Sequence, residues 1–126
     1  MLVLDSGGVS RLAERTRQTV ALLLALREVD LWPPVVPSVV LVECLQGHPR
    51  RDARTNAFLK TCNIVEEIPE PLARRAAILR RLARRGSAVD ALVVALPKPG
   101  GAVLTSDPGD LDALAQHAHD VMVAKV

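Results

Sequence analysis

Aromatic residues are nearly missing from this chain: Trp32 and Phe58 stand alone, and there is no Tyr. Without aromatic platforms, base stacking is not an available way to hold single-stranded nucleic acid, and the core must be aliphatic. Cysteine is as scarce. Cys44 and Cys62 are too few for a disulfide framework and lack metal-ligand spacing. Cys44 lies in an apolar helical segment and reads as a buried thiol, so a reducing, cytoplasmic setting is expected. The longest apolar run, Val20 to Leu26, is far too short to span a bilayer. No basic segment precedes the first apolar run, which stops at Asp5, so neither a signal peptide nor membrane association is expected. Lysine occurs only at positions 60, 98 and 125, which makes the positive charge almost entirely Arg, the residue suited to bidentate contact with phosphate or carboxylate.

What is present is an aliphatic chain of ordinary domain size. Nearly half of the residues are hydrophobic, which argues against disorder, and 126 residues suit one domain, 1–126, with its own core. Short apolar runs at Leu2 to Leu4, Val35-Val36, Asn63 to Ile68, Ala102 to Thr105 and Asp120 to Ala124 read as strands. Between them lie segments of helical composition. Thr16 to Val29 directs Val20, Leu23, Leu24 and Leu26 inward, and Ser38 is expected to cap a helix reaching Gly47. Pro69 to Arg85 carries Leu72, Ile78, Leu79, Leu82 and Ala83 on one face and Arg74, Arg81 and Arg85 on the other. Strands alternating with helices predict an α/β fold with a central parallel sheet and helices on both faces. In such sheets sites form beyond the carboxyl ends of the strands.

Five acids stand at the edges of apolar runs rather than in charged stretches. Asp5 follows Leu2-Val3-Leu4, Glu43 interrupts an apolar helix, Asp90 precedes Ala91 to Leu96, and Asp107 follows Ala102 to Ser106 with Asp110 close behind. Folding alone offers a reason for several of them. Asp107-Pro108-Gly109-Asp110 fits a helix start, Ser87 and Asp90 have capping-box spacing, and Asp5 fits a turn ahead of Gly7-Gly8. Glu43 has no such reason and is expected to be buried with a partner. Taken jointly, clustered carboxylates need a positive partner, and oxygen-only ligands suit a hard divalent cation such as Mg²⁺. None of His48, His117 and His119 sits where a general base would be needed, which argues against metal-free acid–base chemistry.

Four segments, Val3-Leu4-Asp5-Ser6, Ser38 to Glu43, Asp90 to Ala95 and Leu104 to Leu111, resemble the PIN domain in order and spacing, and more narrowly the VapC-type toxins of type II toxin–antitoxin pairs. The resemblance implies strand order 3-2-1-4-5 and an endoribonuclease dependent on Mg²⁺, with Mn²⁺ as a substitute. It further implies a homodimer neutralised by a cognate VapB-type antitoxin. Residue by residue it places catalytic, metal-binding acids at Asp5, Glu43, Asp90 and Asp107, with Asp110 as an additional ligand and Ser6 and Thr105 in support. Gly7-Gly8 and Pro97-Lys98-Pro99 depart from the family pattern. Arg11, Arg15, Arg74 and Arg81 are candidates for gripping RNA phosphates, and the Arg-rich helix equally suits an acidic antitoxin segment. The alternative is a non-catalytic PIN-like module that binds RNA or protein. A receiver domain or a haloacid-dehalogenase-type phosphatase fits less well: the first lacks its late Lys, and the second would need Asp where Gly7 stands.

Overall fold

The computed structural model describes all 126 residues. In chain order they form β1 (Leu2–Leu4), α1 (Ser6–Ala13), α2 (Arg17–Glu28), β2 (Val35–Pro37), α3 (Ser38–Cys44), α4 (Ala53–Leu59), β3 (Asn63–Val65), α5 (Glu70–Ala83), α6 (Ala88–Ala95), β4 (Gly101–Thr105), α7 (Gly109–Ala115) and β5 (Val121–Lys125). The five strands make one all-parallel sheet in the order β3-β2-β1-β4-β5. Strand order therefore reverses between β1 and β4, where Leu2, Val3 and Leu4 pair with Ala102, Val103 and Leu104. That is the position where ligands enter open α/β sheets.

Every residue of β1 and β2 is buried. Successive strand residues point to opposite faces, so both faces of the sheet are covered. The helices fall into two packed groups, α1 with α2, α3 and α4, and α5 with α6 and α7. The core is aliphatic, with Leu4, Leu12, Leu111 and Leu114 among its largest fully buried side chains. The two aromatic rings meet edge to face, Trp32 and Phe58 lying 6.3 Å apart, and Arg27 covers the indole at 5.1 Å.

Several local expectations are corrected. Val20 and Leu24 on α2, and Ile78 and Leu82 on α5, are exposed rather than inward; Leu26, and Leu72, Ala76 and Leu79, do the packing. Ser38 is not a cap. Pro37 holds that position, and the Ser38 hydroxyl instead donates to the Glu66 carbonyl. Helix α1 begins at Ser6, so Gly7 and Gly8 are helical rather than a turn. Both positions require glycine for steric reasons: a Cβ on Gly8 would strike the Leu104 carbonyl oxygen, and one on Gly7 the Ser106 hydroxyl. The two glycines let the start of α1 seat directly on the end of β4.

Gly8→Ala should therefore cost about 1–3 kcal/mol through overpacking against backbone that cannot retreat. A lower urea midpoint with unchanged slope is the expected result; an unchanged midpoint would refute this close seating.

Candidate functional site

The site is built where β1 and β4 end. Asp5 leaves β1 in extended conformation and caps α1, its Oδ1 accepting from the Gly8 N–H at 2.7 Å. Its Oδ2 accepts from the Thr105 hydroxyl at 2.6 Å. Thr105 is fully buried and also accepts from the Asp107 N–H at 3.1 Å, so one hydroxyl ties the two strand ends and sets the following turn. Burial raises the pKa of Asp5. The Thr105 and Gly8 hydrogen bonds oppose that shift, and the negative charge of Asp90 adds to it.

Asp90 enters from α6 through a complete capping box: its backbone N–H donates to the Ser87 hydroxyl, and its Oδ2 accepts from the Ser87 N–H, both at 3.0 Å. Asp107 accepts weakly from the Gly109 N–H at 3.4 Å, and Asp110 pairs with Arg85 Nε at 2.9 Å. Asp5, Asp90, Asp107 and Asp110 line one cleft of about 450 Å³ with Arg85 and Ser106, and Leu111 is its one apolar wall. A second cleft of similar volume, floored by Leu79, Val94 and Val121, lies at the other end of α6 and contains none of these acids; His117 and His119 are on its rim.

Glu43 differs from the expectation. It is exposed, not buried, and makes neither a hydrogen bond nor an ion pair. It does not line the cleft, yet its pKa is raised, first by partial loss of water and then by the charges of Asp90 and Asp5. Asp5, Glu43 and Asp90 thus share one field. Asp90 raises the pKa of both Asp5 and Glu43, and Asp5 that of Glu43, so like charges face one another here.

The donor set is that of a hard cation: carboxylate oxygens, buttressed by a hydroxyl and backbone amides. As placed, no three His, Cys, Asp or Glu side chains are close enough to enclose an ion. Mg²⁺ is ordinarily held by only one or two carboxylates, with water completing its octahedron, so the residues fit a site of that open kind.

None of Arg11, Arg15, Arg74 and Arg81 lines the cleft. Arg11 lies 3.8 Å from Glu14, Arg74 pairs with Glu70 at 2.8 Å, and Arg15 occupies a left-handed turn after α1. The sequence pattern set Arg85 on the basic face of α5 and overlooked its place in the site; it lies beyond the end of that helix and lines the cleft. The available signal was its place two residues before the Ser87–Asp90 capping box. Asp52 was also overlooked. Buried at the start of α4, it accepts from the N–H groups of Gln46 (2.9 Å), Gly47 (2.8 Å) and His48 (3.0 Å), closing the loop that follows α3. Those bonds, Gln46 foremost, hold its pKa below the usual value. Cys44 is half-buried rather than buried, and burial raises its thiol pKa; burial pushes Cys62 up to about 11.

No protein-family model matches the chain, and no curated protein is significantly similar to it. The functional reading rests on the fold and on this geometry.

Two predictions follow from opposite pKa shifts. Asp5 has a raised folded pKa, so its contribution to stability is fully present below 3.8 and lost as pH rises through the folded value. Asp5→Asn should therefore raise the urea midpoint at pH 7 and lose that advantage near pH 3; Asn can still accept from Gly8 and donate to Thr105. A variant less stable at pH 7 would contradict the desolvation argument. Asp52 has a lowered folded pKa, so its contribution is present above the unfolded value and lost as pH falls through the folded one. Asp52→Ala should lower the midpoint at neutral pH, with the deficit shrinking on acidification.

Proposed function

We propose that this chain is a divalent-metal-dependent endoribonuclease of the PIN type, acting as a VapC-like toxin held in check by a cognate VapB-type antitoxin. The observation that supports the reading is the gathering of Asp5, Asp90, Asp107 and Asp110 in one cleft at the reversal point of a parallel 3-2-1-4-5 sheet. A bound Mg²⁺ or Mn²⁺ would supply an activated water and offset charge developing on a phosphodiester.

The chain's own residues would do the positioning. Asp5, with both oxygens already anchored by Gly8 and Thr105, is the rigid member. Asp90 keeps Oδ1 available while Oδ2 serves the cap. Glu43, which forms no hydrogen bond or ion pair, would be free to orient an attacking water and accept its proton. Leu111 and the buried Thr105 keep the floor closed to bulk water.

A second reading, a non-catalytic RNA- or protein-binding module on the same fold, draws on one observation: the acids stand too far apart for three of them to enclose an ion. The two readings diverge on metal linkage. No helix is long and apolar enough to cross a membrane, and neither reading requires one.

The deciding experiment is cleavage of cellular RNA by the wild type, Asp90→Asn and Glu43→Gln, each with Mg²⁺ and with EDTA. Asn at position 90 can still accept from the Ser87 N–H, so the cap and fold survive. Cleavage by wild type in Mg²⁺ alone is expected, with each variant reduced on the order of 100-fold. Saturating Mn²⁺ should raise the wild-type melting temperature, because it binds the native state preferentially, and should do so less in the variants. Metal-independent cleavage, or a melting temperature indifferent to Mn²⁺, would defeat the nuclease reading.

A further inference from the structure

Arg85 is the one cation among the residues that line the acid cleft. Its placement is built into the backbone on both sides. Helix α5 ends with Arg84 in the left-handed conformation (φ 54°), which turns the chain away from the basic helix face. Arg80 Nε reaches the Gly86 carbonyl at 3.4 Å. Gly86 itself has φ 89° and lies so close to Leu114 that a Cβ would fall 2.7 Å from its methyl, so this turn is seated on α7. Ser87 then opens the capping box that presents Asp90. The connector that aims Asp90 into the cleft therefore also aims Arg85.

The guanidinium uses only Nε, donated to Asp110 Oδ1; its terminal nitrogens form no hydrogen bond, and the side chain is 59% exposed. An ion pair this exposed contributes little to stability, so fold maintenance does not account for it. Asp110 is one of a pair with Arg85 rather than a free carboxylate. A phosphodiester entering the cleft meets like charge from Asp5, Asp90 and Asp107, and beyond the Arg85–Asp110 pair its remaining walls are uncharged. The unused fork of Arg85 is the one cationic group lining the cleft that is able to receive it, and Arg–phosphate pairing can be bidentate where the present contact to Asp110 is single.

We infer that Arg85 is the phosphate subsite of the cleft, resting on Asp110 until an RNA phosphodiester replaces that carboxylate. This rests on the reading of the cleft as the place where RNA is engaged. Asp110 is then the resting partner of Arg85 and not a metal ligand.

The test is fluorescence anisotropy of a labelled single-stranded RNA oligonucleotide in Mg²⁺, with all variants made in the Asp90→Asn background to suppress cleavage. Arg85→Ala should weaken binding about 10-fold and lower the slope of log Kd against log salt by about 0.7. Asp110→Asn should tighten binding several-fold by releasing the guanidinium. The double variant Arg85→Ala with Asp110→Asn separates direct contact from simple neutralisation: it should bind as weakly as Arg85→Ala. Recovery of background affinity in the double variant would overturn the inference, since Arg85 would then only cancel the charge of Asp110. An unaffected Arg85→Ala, or a background protein that binds no RNA, would also overturn it. Wild-type cleavage, measured separately, distinguishes the two levels. A cleaving enzyme whose binding ignores Arg85 keeps the nuclease reading and loses this one. A protein that never cleaves but binds through Arg85 does the reverse.

Discussion

The hydrogen bond from the Thr105 hydroxyl to Asp5 joins the ends of β1 and β4, where the strand order of the sheet reverses. Its donor is fully buried, and its acceptor is a carboxylate that burial destabilises as an anion. Removing the hydroxyl would leave that charge short of a partner; removing the carboxylate would leave the hydroxyl to find another acceptor. Each is tolerable because the other is there. The same contact fixes the start of α1, since the other oxygen of Asp5 caps it, and the turn into α7, since Asp107 donates to the same hydroxyl. Strand pairing, helix entry and cleft geometry meet in these few atoms.

The cleft holds mutually repelling carboxylates without collapsing because the fold offers them compensations short of a counter-ion. Asp5 sits at the N-terminus of α1 and Asp90 in the first turn of α6, where the macrodipole favours negative charge by about 0.3–1 kcal/mol. Asp107 and Asp110 lie at the start of α7. These compensations are partial, as the raised pKa values of Asp5 and Glu43 indicate. What remains is a cluster of like charges that the fold only partly compensates.

The order of strands and helices is legible in the sequence because strands buried on both faces read as continuous apolar runs, and Leu2 to Leu4 and Ala102 to Thr105 have that form. The capping box at Ser87 and Asp90 is legible because it is a local hydrogen-bond pattern. Where α1 begins is not, because the cause lies a hundred positions away: Gly7 and Gly8 look like a turn until the end of β4 is placed against them. The exposure of Val20, Leu24, Ile78 and Leu82 is illegible for a related reason. Periodicity identifies an apolar stripe but not how wide a strip the neighbouring helices cover. Arg85 is lost among neighbouring arginines, and only the left-handed turn at Arg84 separates it from them.

Among the acids, a capping role and a functional role are not rivals. Asp5 and Asp90 both serve helix starts, so their positions would make sense in a protein with no chemistry at all. The capping bond to Asp90 nevertheless occupies one oxygen and holds the other in a fixed direction, which is what a ligand needs. Glu43 has no such double account. It caps nothing, pairs with nothing, and sits on an exposed edge of α3 next to Val42, yet the charges of Asp90 and Asp5 help to raise its pKa. Those like charges disfavour its ionised form, and no hydrogen bond or ion pair offsets them. Its presence there is the feature that folding leaves unexplained and that a metal-dependent site would explain.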